Sequence, residues 1–152
     1  MLIYLLRHGL AVERGVSDAA RELSREGVVQ TRSVAEKFKM YGPQIDRAMM
    51  SPLQRARQTA AMLRIALPTV RFEVDPNLEP NSDVYAVFGS IEAMNVQNLI
   101  LVSHNPLLSN LLSLMLDATL ESHRPFAPSH LYCIEMDVIA PGCGTLKYVL
   151  EP

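Results

Sequence analysis

The chain has 152 residues, a length that fits one continuous globular core spanning residues 1–152 and leaves no room for a separate substrate domain. With 49% hydrophobic and 20% charged residues it is too apolar for a disordered protein. Its formal charge of −2 supplies no basic footprint for nucleic acid or an anionic membrane, so neither is expected as a partner and any anion site must be local.

Residues Met1 to Leu6 are apolar, but Arg7 and His8 interrupt them before a signal-peptide core or a membrane span would be complete. Leu2 to Leu6 instead predicts a strand buried on both faces that ends in the turn Arg7-His8-Gly9. A helix is expected from Ser24 to Phe38, with Ser24 as its N-cap and Val28, Thr31, Ala35 and Phe38 at helical spacing. Asp46 to Met50 predicts a second strand. Ser51-Pro52 after it suits a strand-to-helix junction, with serine capping and proline in the first helical position. The next helix carries Leu53, Ala56, Ala60, Leu63 and Leu67 on one face, with Arg55 and Arg57 off that stripe.

Val70, Phe72 and Val74 alternate with polar and charged neighbours as a half-buried strand does, and Val84, Val87, Phe88 and Ile91 predict a helix beginning after Ser82. Asn98 to Ser103 is a further central strand, and His104-Asn105-Pro106 leads from it into a leucine-rich helix reaching Leu116. Leu131 to Val138 and Thr145 to Leu150 flank Pro141-Gly142-Cys143-Gly144 as an antiparallel pair. Strands alternating with helices, followed by a hairpin, predict an α/β fold: a three-layer α/β/α sandwich on a mainly parallel central sheet. Cys133 and Cys143 lack metal-ligand spacing and are too few for a disulfide framework, which points to a reduced, cytoplasmic setting, although a single bridge between them stays open.

His8 and His104 each fall directly after a buried strand, and open α/β sheets hold their ligands outside the carboxyl ends of such strands. Arg7 neighbours the first histidine, and Arg55 lies in the first turn of the helix after Ser51-Pro52. Arginine offers a planar fork of donors that matches phosphate oxygens, and a neutral imidazole among guanidinium groups can attack phosphorus. Each residue alone also has an ordinary structural role: a satisfied histidine, a solvated helix arginine, a strand-end arginine that snorkels. A metal bound by the two histidines is disfavoured by the adjacent arginines and the lack of a third ligand, so no metal or other cofactor is expected. His123 and His130, in an irregular stretch, suit surface or hydrogen-bonding roles, and the eight methionines suit core filling.

These residues carry a family resemblance. Leu6-Arg7-His8-Gly9 resembles the Arg-His-Gly signature of the histidine phosphatase superfamily, also called phosphoglycerate mutase-like. Ser51-Pro52-Leu53-Gln54-Arg55-Ala56-Arg57-Gln58-Thr59-Ala60 resembles its second motif, and Val102-Ser103-His104-Asn105-Pro106 its third. The resemblance implies the phosphoglycerate mutase-like fold, a phosphohistidine formed on His8, and phosphoryl oxygens bound by Arg7, Arg55 and His104. The short length and the segment Ser17 to Gly27 resemble the SixA group of phosphohistidine phosphatases, which implies a phosphorylated signalling protein, such as a histidine-containing phosphotransfer domain, as substrate. By the same resemblance Arg21 is a further phosphate contact.

The sequence departs from larger members of the superfamily in lacking a clear acidic proton donor near the second motif. Glu79, in Asn77-Leu78-Glu79-Pro80, is the one nearby candidate, and an exposed loop carboxylate is its ordinary reading. An alkoxide leaving group needs a proton, whereas phosphohistidine has a labile P–N bond and a better leaving group. The short interval from Thr59 to Asn98 also leaves little chain for a lid, which suits a protein substrate. Two alternatives stand beside this: a phosphatase of a small phosphoester with Glu79 as its acid, and a non-catalytic phosphoprotein-binding module, for which a nucleophile at position 8 would be unnecessary.

Overall fold

A computed structural model describes residues 1–152. In it, one six-stranded sheet is built from β1 (Leu2–Arg7), β2 (Arg47–Met50), β3 (Phe72–Val74), β4 (Asn98–Ser103), β5 (Leu131–Met136) and β6 (Gly144–Leu150) in the spatial order β3-β2-β4-β1-β5-β6. β3, β2, β4 and β1 run parallel, while β5 and β6 are antiparallel additions at the other edge. This is the three-layer α/β architecture expected from the alternating elements. α1 (Arg25–Met40) and α2 (Gln54–Met62) cover one face, and α3 (Val84–Ala93) and α4 (Leu107–Asp117) the other.

The period-two geometry of the central strands divides the core. Ile3, Leu5, Leu99 and Leu101 pack with Val87, Phe88, Leu108 and Leu111 of α3 and α4. Tyr4, Leu6, Ile100 and Val102 pack with Val34, Phe38, Ala56 and Ala60 of α1 and α2. Because both faces are covered, β1 and β4 read as unbroken apolar runs rather than alternating ones, and each buried leucine or isoleucine contributes about 1.5–3 kcal/mol relative to exposure.

Ser24 caps α1 as expected, its hydroxyl accepting from the Gly27 N–H. Ser51 does not cap α2. The residue preceding that helix is Leu53, without a side-chain cap; the Ser51 hydroxyl accepts from the Leu53 N–H (3.3 Å) and also meets His104. The helical stripe from Leu53 to Leu67 is buried as predicted, but α2 ends at Met62 and a 3-10 turn, Leu63–Ile65, carries the chain on. β3 is shorter than the pattern suggested, and Val74 is exposed on this edge strand. α3 begins behind Asp83, whose carboxylate accepts from the Tyr85 and Ala86 N–H groups. Cys133 is buried, Cys143 exposed, and the two are unpaired. No helix is long and apolar enough to cross a membrane.

Strand order then positions the chemistry. β1 and β4 are adjacent and in register, with Arg7 opposite Ser103, so the residues that follow them emerge at the same level of the sheet edge. The chain leaves β1 toward β2 through α1 and leaves β4 toward β5 through α4, on opposite faces. The carboxyl ends of β1 and β4 therefore flank a topological switch point, where open α/β sheets form a crevice.

Candidate active site

His8 and His104 meet at that crevice, with ring centroids 4.8 Å apart and planes inclined by 54°. The His8 N–H donates to the Ser103 carbonyl (3.0 Å), which ties the end of one strand to the end of the other. Both histidines are buried. The Nδ1 of His8 lies 2.7 Å from the Gly9 carbonyl oxygen. A carbonyl can only accept, so Nδ1 carries the hydrogen and Nε2 is left with a free lone pair. Burial, reinforced by Arg55, Arg7 and Arg21, pushes the pKa of His8 down to about 4 against the opposing pull of the Gly9 carbonyl, so the ring is neutral at neutral pH.

The turn packs closely against α1 at Gly9, where a Cβ would collide with Thr31 Oγ1 and with the Gly27 carbonyl oxygen. The Gly9 N–H donates to Thr59 Oγ1 (3.0 Å), and the Thr59 hydroxyl donates to the Arg55 carbonyl (2.8 Å). Thr59 thus couples the His8 turn to the first turn of α2 that carries Arg55.

His104 is held differently. Its Nε2 lies 2.7 Å from Ser51 Oγ, while its Nδ1 is buried without a partner. Burial first, then His8 and Arg55, push its pKa down to about 3, with Asp18 working in the opposite direction. When the Ser51 hydroxyl donates to Nε2, Nδ1 bears the hydrogen and is a donor without a protein acceptor.

Arg55, although off the apolar stripe of α2, is only 4% exposed and is not the solvated helix residue of its ordinary reading. Its Nη1 donates to the Asp18 carbonyl (2.8 Å) and its Nη2 to the Asp18 carboxylate (3.2 Å). Arg21 grips the other oxygen of that carboxylate at 3.0 Å and also donates to the Val12 carbonyl (2.8 Å). These hydrogen bonds, the one from Arg21 foremost, hold the Asp18 carboxyl below its ordinary range. An anionic group thus already bridges two of the predicted phosphate-binding arginines. Arg7 donates through Nη1 to the Phe126 carbonyl (2.6 Å) and keeps its buried Nε unpaired.

The structure therefore brings His8, His104, Arg7 and Arg55 into one cluster and attaches Arg21 to it through Asp18. Glu79 is exposed, at the end of the short turn Pro76–Leu78. His130 donates from Nδ1 to the Pro128 carbonyl (3.1 Å), and His123 is exposed, which are the hydrogen-bonding and surface settings expected of them. Sequence reasoning missed Asp18, Thr59, the Gly9 carbonyl and the true role of Ser51. Thr59 had a signal, since it lies four residues after Arg55 on one helix, where its hydroxyl reaches the Arg55 carbonyl. Backbone carbonyls such as those of Gly9 and Phe126 leave no mark in a side-chain pattern.

The model of the histidine phosphatase superfamily, branch 1, matches residues 3–80, just over half of the chain, and covers the segments bearing His8 and Arg55. Phosphohistidine phosphatase SixA of Escherichia coli is 29% identical over 157 aligned positions, which cover 100% of this chain and 94% of that protein. An uncharacterised protein of Picosynechococcus is 32% identical over 111 positions, covering 70% of this chain and 67% of that one. Among solved structures, the protein histidine phosphatase SixA complexed with tungstate superposes with a TM-score of 0.89 at 29% identity, covering 100% of this chain and 97% of that one. An alpha-ribazole-5'-P phosphatase from Escherichia coli shares the fold, with a TM-score of 0.78 at 18% identity, covering 100% of this chain and 96% of that one. With its Arg-His-Gly turn set against a second histidine and a buried helix arginine, the chain belongs to the histidine phosphatase superfamily.

Proposed function

We propose that this protein is a phosphohistidine phosphatase that acts on a phosphorylated signalling protein, with His8 as the nucleophile. The observation that carries this reading is the state of His8: a neutral ring whose Nδ1–H is committed to the Gly9 carbonyl and whose Nε2 is free beside arginine side chains. In the first step Nε2 forms a bond to phosphorus as the P–N bond of the substrate breaks, and the substrate imidazole leaves with the bonding pair and takes up a proton from water. In the second step water attacks phosphorus, the His8–P bond breaks, orthophosphate departs and the free imidazole is restored.

Arg7, Arg55 and the Nδ1–H of His104 supply donors to the phosphoryl oxygens, where negative charge must be held through both steps. Arg21 extends that set once Asp18 yields its place to the phosphoryl group. The substrate class follows from the leaving group. Asp18 is kept ionised by Arg21 and Arg55, and Glu79 is exposed, so neither is a ready proton donor to an alkoxide. A phosphorylated imidazole does not need one. The name of the SixA relative supports the same substrate, and the unpaired Cys133 and Cys143 suit a reduced, cytoplasmic setting.

The test compares kcat/KM for a histidine-phosphorylated phosphotransfer domain with that for sugar phosphates and an aryl phosphate, in the wild type and in Glu79→Gln. A clear preference for the P–N substrate, unchanged by Glu79→Gln, is expected. Equal turnover of alkyl phosphates that Glu79→Gln selectively abolishes would assign Glu79 as general acid and make the protein a small-phosphoester phosphatase.

A further inference from the structure

Away from the histidine crevice, an open groove of about 720 Å³ lies between α2 and the edge strand β3. Met50, Ala60 and Phe72 are among its apolar lining, and its charged residues are Arg57, Arg64 and Arg71, with no carboxylate among the residues that line it. All three arginines are exposed. None of them has an ion-pair partner; the neighbouring Arg47 and Glu73 instead pair with each other at 3.0 Å.

Arg57 and Arg64 are seven residues apart, two helical turns or roughly 10 Å along the same side of α2 and its 3-10 extension. Arg71 faces them from the start of the edge strand. Three cations without ion-pair partners on one groove, in a chain whose net charge is −2, form a local positive field. Arg57 also lines a second, smaller cleft with Ser17, Ala19, Ala20 and Glu22, beside the Asp18 that bridges Arg55 and Arg21, so groove and cleft meet at this one side chain.

We propose that this groove docks an acidic segment of the phosphoprotein substrate and so contributes to the choice of protein over small-molecule substrates. The inference rests on the phosphohistidine phosphatase reading and adds to it the surface that selects the partner. An apolar floor with a cationic rim suits a helix or loop that carries carboxylates beside a few aliphatic side chains, seated on Arg57, Arg64 and Arg71 while the phosphohistidine reaches His8. The patch is too small, and lacks the row of exposed aromatic side chains, for a nucleic-acid track.

The experiment uses the triple variant Arg57→Glu, Arg64→Glu, Arg71→Glu, with the triple Gln variant as a milder control for folding. A histidine-phosphorylated phosphotransfer domain and free phosphohistidine serve as the two substrates. The expected result is a KM for the domain raised by about tenfold or more with kcat retained, a flatter dependence on salt, and kcat/KM for free phosphohistidine within about twofold of wild type. An unchanged KM for the domain, or equal losses on both substrates, overturns the docking surface and leaves the phosphatase reading in place.

If the wild type hydrolyses neither substrate, the proposed activity itself fails. The groove is then judged by binding of the phosphorylated domain to His8→Ala protein. A Kd about tenfold weaker when the three arginines are also reversed upholds it, and an equal Kd overturns it. Displacement of the domain by a single-stranded oligonucleotide more readily than by polyglutamate of equal charge assigns the groove to nucleic acid and also overturns the proposal.

Discussion

The two strand ends that meet in the crevice hold their histidines by different chemistry. At the end of β1, His8 is oriented by the Gly9 carbonyl, an obligatory acceptor, so one tautomer is imposed and Nε2 is always the free nitrogen. At the end of β4, His104 is oriented by the Ser51 hydroxyl, which can donate or accept, so its hydrogen can sit on either nitrogen. A nucleophile needs its lone pair in one fixed place. A ligand to a phosphoryl group whose charge and contacts change between two steps gains from a partner that can adjust. Under the proposed function this contrast suits His8 to the covalent role and His104 to the supporting one, and the variants that follow test it.

The largest effect is expected from His8→Ala, which removes the attacking atom and should lower phosphoryl transfer by about 1000-fold or more. His104→Ala and Arg55→Ala should each cost about 100-fold, as loss of a transition-state donor does, with the phosphoenzyme still formed slowly. Steady-state kinetics on one phosphohistidine substrate ranks the three. A His104→Ala protein as inactive as His8→Ala would erase the asymmetry between the two strand ends.

Ser51→Ala should reduce kcat by about tenfold, the worth of one hydrogen bond, with little change in KM. Ser51→Thr, which keeps the hydroxyl, should restore most of that loss. Equal damage from both variants would mean that Ser51 acts through packing and not through His104. Gly9→Ala tests the other end, since its Cβ meets Thr31 and the Gly27 carbonyl and should destabilise the fold by about 1–3 kcal/mol, read as a lowered denaturation midpoint.

The smallest effect is a pH dependence that stays nearly flat. With its pKa pushed down to about 4, the His8 ring is already neutral at pH 5, and attack fails only as the pH falls through about 4 and Nε2 takes up a proton. Between pH 7 and 5, kcat/KM corrected for titration of the substrate should change by less than about twofold. An ordinary histidine with a pKa of about 6.5 would lose most of its free base over that interval. An acid limb near 6.5 would place His8 in a more solvated setting than the crevice provides.

Much of this molecule was legible in its sequence. The unbroken apolar runs at Leu2 to Leu6 and Leu99 to Val102, short and followed by turn residues, suit strands covered on both faces, and that reading put His8 and His104 at strand ends. The helix capped by Ser24 and the hairpin of β5 and β6 followed from local rules of the same kind. Less visible was anything set by contacts between distant segments. Arg55 lies off the apolar stripe, so periodicity marks it as exposed. It is buried because Asp18 and the Asp18 carbonyl, thirty-seven positions away, receive its guanidinium. Ser51 has the appearance of a helix cap and does accept from the Leu53 N–H, but only the register of β2 against β4 brings its hydroxyl to His104 as well. Periodicity reports which side of an element faces the core; it carries no record of which polar partner waits there.

The central claim is that His8, and not His104, becomes phosphorylated. Rapid-quench mixing of the enzyme with a phosphohistidine donor, followed by peptide mapping under alkaline conditions, tests it directly. The account predicts a transient, acid-labile and base-stable phosphoenzyme on His8 that forms and decays fast enough to account for turnover and is absent from His8→Ala but present in His104→Ala. Phosphate found on His104, or full turnover without any such species, would contradict it.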